Sequence, residues 1–235
     1  MIETQTPVEL NIDEVERLLE GSRDQNKLGE RIERISASFI GRPYLENPLG
    51  GGPQSPEEFR VSLAGFDCVT YIETVFALAR SRTAGAFVDE MREMRYAGGR
   101  VDWYHRNHYM LDWIRNNKER GIIEDVTAGP ETVERTRTLS LIKSLPAKTL
   151  SFRSFPKRAL NSIRSRINTG DAALFVSTRK SLDVFHTGIL INSAHEISLR
   201  HATRTAGRVI EENLASFINA HRMSGLILLR PLCQD

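Results

Sequence analysis

Apolar positions along the chain change period between its two ends. Over residues 8–39 they recur at helical spacing: Asn11 stands where an N-cap is wanted, and Ile12, Val15, Leu18 and Leu19 follow it. Gly21 and Gly29 are expected to break that run. Residues 41–58 are crowded with glycine and proline and predict a loop. Helices are expected over 67–81, 84–95 and 104–120, the last ended by Gly121. The C-terminal third reads differently. "DAALFVST", "VFHTGILI", "EISLRHAT" and "GLILLRPL" are short apolar or β-branched runs separated by turn residues, the pattern of strands. Helices followed by strands predict an α+β fold with an antiparallel sheet.

Composition narrows the function classes. Of 235 residues, 40% are hydrophobic and 26% charged, an ordinary globular balance. A net charge of +2 gives no reason to expect nucleic acid or a membrane surface as partner. No apolar run approaches the ~18 residues of a membrane span. The start, MIETQTPVELNID, shows no secretory signal, which leaves a cytoplasmic location and a removed signal both open. Acids outnumber bases nine to five over residues 1–34, consistent with a solvated helical face. Residues 135–170 hold nine Lys or Arg and no acid. That stretch is expected to be an exposed connection with a short helix, and alternatively a surface that receives an anion. The glycine run at 50–52 lacks a following Gly-Lys-Ser/Thr and is no phosphate loop.

Two cysteines, Cys68 and Cys233, are too few for a disulfide framework, although a single bridge stays open. Cys68 lies in "GFDCVTYIETVFALA", on the same helical stripe as Ile72, Val75, Phe76 and Ala79. By that pattern it is a small core residue. Its position argues otherwise. With Asp67 as N-cap, Cys68 is the first helical residue, where free N–H groups and the helix dipole favour a thiolate and could hold an oxyanion. On this reading Cys68 alkylates faster than Cys233 at neutral pH. A thiol nucleophile needs a base, usually histidine. A hairpin turning on Ser193-Ala194 would set His186 directly opposite His201 on one sheet face, the face meeting the cysteine helix, with His195 in the turn. His186 then serves as base and His201 orients it. A metal reading is weaker. Cys68 with two histidines falls short of a zinc set, and His105, His108 and Asp112 on one helical face are a slight signal, so no metal or cofactor is expected.

Several motifs in fixed order now coincide: "GRPY" (41–44), "FDC" (66–68), "GDAALF" (170–175), "HTGILI" (186–191) and "RHAT" (200–203). The chain resembles the NlpC-type papain-like cell-wall amidohydrolases, and over about residues 35–232 their N-acetylmuramoyl-L-alanine amidase-like subgroup. The resemblance implies a papain-like α+β fold, with residues 1–34 as an N-terminal helical extension, 35–235 as the domain, and one compact unit overall. It implies Cys68 as nucleophile, His186 as base and His201 as the polarising third residue. Tyr44 and Asp67 match positions beside the cysteine, and the helix carrying Tyr104, His108, Tyr109 and Trp113 is a candidate cleft wall, with core packing favoured for Trp113. Two positions depart from the pattern: "LENPLGGG" replaces a tight glycine turn after Tyr44, and Thr203 replaces a common serine. The implied substrate is a muropeptide, cut at the N-acetylmuramoyl-L-alanine amide, and the implied location is the periplasmic cell envelope. Cleavage between D-glutamate and a diamino acid, acyl transfer, and a binding module on the same fold stay open. Nothing in the sequence speaks to oligomeric state.

Overall fold

The computed structural model describes residues 10–233. Five helices come first: α1 (Ile12–Gly21), α2 (Leu28–Ser38), α3 (Cys68–Arg80), α4 (Ala84–Arg95) and α5 (Met110–Glu119). Next are β1 (Ile123–Asp125), β2 (Val133–Leu139), β3 (Lys148–Ser154) and the single turn α6 (Leu160–Ile163). The chain closes with β4 (Ala172–Val176), β5 (Val184–Asn192), β6 (Ile197–Thr203), β7 (Arg208–Asn213), α7 (Leu214–Ala220) and β8 (Gly225–Pro231). Six strands form one antiparallel sheet in the order β1-β8-β4-β5-β6-β7, and β2-β3 is a separate hairpin. The expected α+β class with an antiparallel sheet is the observed one. Among the described residues no helix is long and apolar enough to cross a membrane.

Local chemistry explains the helix starts. Asn11 caps α1 by accepting from the Glu14 N–H, and Thr83 caps α4 by accepting from Ala86 N–H. Gly29, expected to break the first helical run, instead lies inside α2. A Cβ there would stand 2.4 Å from the Thr169 carbonyl oxygen, so the glycine serves close packing. The helix expected from 104 begins only at Met110. Asp102 accepts from Tyr104 N–H and closes a short 3-10 turn over Trp103–His105 ahead of it.

The basic stretch departs most from expectation. Most of its first half is the β2-β3 hairpin, and only its second half holds the short helix. Every second residue of these strands is exposed, as in a ribbon with one covered face. Arg135 donates to Ser154 Oγ and to the Ser224 carbonyl, and Arg137 to the Ser177 carbonyl. These guanidinium groups fasten the hairpin to the sheet.

The sheet is the middle layer. On one face Leu174, Ile189, Ile191 and Ile227 pack with α1–α5. On the other, Phe175, Leu190, Leu199 and Leu228 pack with Phe155, Ile163 and α7. Helix α3 is enclosed so completely that residues 70–80 are all buried, well beyond the stripe the sequence suggested. Val15, Leu19, Ile32 and Ile35 bring α1 and α2 into the same core.

Candidate active site

Asp67 and Cys68 sit where the loop after α2 reaches α3. Gly41, at φ 91°, turns the chain so that 41–44 runs along the open edge of β7, with Gly41 N–H donating to Val209 O and Tyr44 N–H to Gly207 O. Phe66 N–H donates to Pro43 O, and the Phe66 ring lies edge-on to Phe39 and Tyr71 at 4.9 and 5.8 Å. Thus anchored, Asp67 forms a capping box: Oδ1 accepts from Val69 N–H (3.0 Å) and Thr70 N–H (2.7 Å), and Thr70 Oγ1 accepts from Asp67 N–H (3.0 Å). The expected cap is present, but its effect on the thiol is not the expected one. Burial, and then the Asp67 charge, push Cys68 up to about 12, against backbone hydrogen bonds from Thr187, Cys68 and Val69 that pull it down. The carboxylate that starts the helix also accepts from the Val69 and Thr70 amides, so the thiol has to share the Val69 N–H with it. Cys68 is half-buried and Cys233 exposed, and both are free, so no bridge joins them.

The two histidines share a sheet face but are not directly opposed. The loop is Ser193 to Glu196, closed by Ser193 N–H to Glu196 O at 2.9 Å, one position later than expected. Ile189 therefore pairs with Arg200, and the ladder runs out placing His201 across from Gly188. A shift of one loop position moves the register by two residues, which preserves the face. His186 and His201 become diagonal neighbours, and His186 Nε2 lies 2.6 Å from His201 Nδ1. Glycine at 188 makes room: a Cβ there would stand 2.9 Å from His201 Cβ and 2.8 Å from the Arg200 carbonyl oxygen. The face they share differs from expectation. Both rings pack on Phe217 of α7, at 5.4 and 5.3 Å, on the side of Phe175, whereas α3 lies across the other face. Cys68 and His186 come to the same cleft at the start of β5, beside Thr187. Burial, then His201 and His221, hold His186 down at about 3, and burial also lowers His201 against the pull of Glu212.

That cleft, about 330 Å³, is lined by Asp67, Cys68, His186 and Thr187, with Asn47, Pro48, Leu49 and Gly50 as one wall and His108 in another. The "LENPLGGG" departure is thus cleft surface. Arg106 holds this wall, donating to Gly50 O and Glu57 Oε1 at 3.0 Å each, its guanidinium 4.3 Å over the Trp103 ring. His108 is fixed by Nε2 to Trp103 O at 2.7 Å. Tyr44 lies outside the cleft lining; burial and the Cys68 and Asp67 charges raise its phenol. Trp113 is fully buried and donates to Glu73 Oε1, so it belongs to the core. His105 bonds Asp102 and Asp112 bonds Lys148, and among the described residues no three such side chains are grouped to hold a metal ion. Two residues escaped the sequence reading. Thr187 Oγ1 is buried in the cleft wall with no hydrogen-bond partner, and Glu212 Oε1 lies 2.9 Å from His201 Nε2. The Thr187 position beside His186 could have been read; Glu212, eleven residues beyond His201, carried no local signal.

The fold is shared with solved bacterial proteins. A protein from Legionella pneumophila str. Philadelphia 1 superposes with a TM-score of 0.82 at 22% identity, covering 95% of this chain and 96% of its own. An N-acetylmuramoyl-L-alanine amidase from Bacteroides uniformis superposes at 0.74 with 24% identity, over 91% and 99% of the two chains. No curated protein matches the chain. The family model for AmiA-like, N-acetylmuramoyl-L-alanine amidase-like proteins matches residues 34–226. The chain, with its capped cysteine helix and paired histidines, therefore belongs to the N-acetylmuramoyl-L-alanine amidase-like family.

Proposed function

We propose that this protein is a cysteine amidohydrolase of the cell envelope, built on an NlpC-type papain-like fold, that cleaves the N-acetylmuramoyl-L-alanine amide of peptidoglycan fragments. The observation that carries the reading is the convergence of Cys68, at the start of α3, and His186, backed by His201, on one cleft. A raised thiol and a lowered imidazole make the resting pair neutral. The proton therefore moves from Sγ to His186 during attack on the lactyl carbonyl carbon. Asp67 accepts from the Val69 and Thr70 amides, and the Cys68 and Val69 N–H groups, which both reach the thiol, are the helix-start donors for the developing oxyanion. Collapse of the tetrahedral adduct breaks the C–N bond. His186 hands its proton to the departing alanine nitrogen, and the acyl group stays on sulfur. A water deprotonated by His186 then hydrolyses the thioester and restores the thiol. Asp67 and His108 line the cleft, and Tyr44 lies close enough for its phenol to feel the Cys68 and Asp67 charges.

Incubation with purified muropeptides, with products weighed by mass spectrometry, tests this. Release of the intact stem peptide from N-acetylmuramic acid is expected, undiminished after exhaustive EDTA treatment, and lost in Cys68→Ala. Cleavage after D-glutamate would replace the reading with the endopeptidase one. Wild-type turnover by Cys68→Ala would end the thiol mechanism.

A further inference from the structure

We propose that Glu212 is a positioning residue that sets the tautomers of both histidines and thereby leaves His186 Nδ1 free as the acceptor for the thiol proton. The inference rests on the reading of His186 as base. His201 is buried, 1% exposed, between two partners: its Nδ1 is 2.6 Å from His186 Nε2, and its Nε2 is 2.9 Å from Glu212 Oε1. Glu212 reaches it from β7, where His201 pairs with Ile210 and Leu199 with Glu212, so the carboxylate lies on the same sheet face one diagonal away.

Hydrogen-bond direction follows from what each group can do. A neutral imidazole has one donor and one acceptor, and an ionised carboxylate only accepts. His201 therefore carries its proton on Nε2 and donates to Glu212. Its Nδ1 is then the acceptor, so His186 carries its proton on Nε2 and donates to His201. The remaining His186 nitrogen, Nδ1, keeps a free lone pair, which is what a base for Cys68 requires. The reverse arrangement would set two acceptors, Glu212 Oε1 and His201 Nε2, against each other at 2.9 Å, with His201 buried and Glu212 about a third exposed. When His186 becomes an imidazolium, the same line of bonds ends on a negative charge.

Tautomers of histidine-labelled protein are read directly by long-range 1H–15N correlation, without any substrate. In wild type, His186 and His201 should both be Nε2–H. Glu212→Gln can still accept through its amide oxygen and should keep both tautomers while lowering kcat. Glu212→Leu should give mixed His186 tautomers and a loss in kcat of ~10²-fold with little change in KM, by analogy with other orienting groups. Glu211→Gln, whose parent carboxylate pairs with Arg200, should leave the tautomers unchanged. An Nδ1–H His186 in wild type, or unmixed Nε2–H His186 in Glu212→Leu, would overturn the proposal. Should Glu212→Leu fail to fold, wild type and Glu212→Gln still decide it. The relay survives a protein that cleaves no muropeptide, because the spectra do not depend on turnover.

Discussion

Asp67 has two roles of opposite sign for Cys68. As N-cap and half of a capping box it starts α3, which places the thiol. As a neighbouring charge it is the second cause, after burial, of the raised thiol pKa. Asp67→Ala should therefore cost about 1 kcal/mol of stability through the lost cap. The same change removes the charge and releases the Val69 and Thr70 amides, so Cys68 should react faster with iodoacetamide. In wild type the exposed Cys233 should be alkylated first, the reverse of what position at a helix start suggested. Peptide mapping of the labelled protein checks both. Unchanged Cys68 labelling in Asp67→Ala would show that burial alone holds the thiol protonated.

At the scale of elements, the β5-β6 pair decides whether the site exists. The strands approach so closely at Gly188 that any side chain there meets Leu199 Cδ1, the Arg200 carbonyl and His201 Cβ within 3 Å. The carbonyl is backbone and cannot step aside cheaply. Gly188→Ala should destabilise the fold by about 1–3 kcal/mol, a usual cost of overpacking. It should also displace His201 and lower activity in the folded fraction. Gly85→Ala, in α4 with nothing within 4 Å, is the control, expected to be neutral or slightly stabilising. Urea unfolding and single-turnover assays on the two variants separate packing from chemistry. Equal behaviour of the two would mean that the strands can part at Gly188 without harm.

At the scale of the molecule, layering buries His201 and half-buries His186 beside it. The sheet lies between the α1–α5 layer and α7, and the histidines are enclosed on the α7 side. Burial lowers His186 to about 3, far below the ordinary histidine value of ~6.5. Between those values the unfolded chain holds a proton that the folded chain refuses. Stability from this group is therefore complete above ~6.5 and is lost progressively as pH falls below it. The buried carboxylates Glu73, Asp171 and Asp183 are raised by burial, act with the opposite sign, and are common to wild type and a histidine variant. The difference isolates the histidine: between pH 7 and pH 5, wild type should lose more thermal stability than His186→Gln. Parallel melting curves for the two proteins would contradict a buried neutral imidazole.

Local chemistry made much of this protein legible from its sequence. Asn11 and Asp67 announce helix starts because a side-chain oxygen must satisfy orphan amides, and apolar runs announce β4, β5, β6 and β8 because both faces of a middle layer are covered. The β2-β3 hairpin and β7 escaped notice because polar strands show little apolar period, and α7 because seven residues are too few to show one. That His186 and His201 share a face was readable, since a slip of two residues keeps strand parity. Which face it is, and that the pair is diagonal, required the loop position and the packing of α7. What raises the Cys68 thiol is visible only in three dimensions, because desolvation depends on what surrounds a group and not on its place in a helix. Glu212 was likewise invisible from the chain: β7 sets it beside His201 through a ladder whose register no local pattern announces.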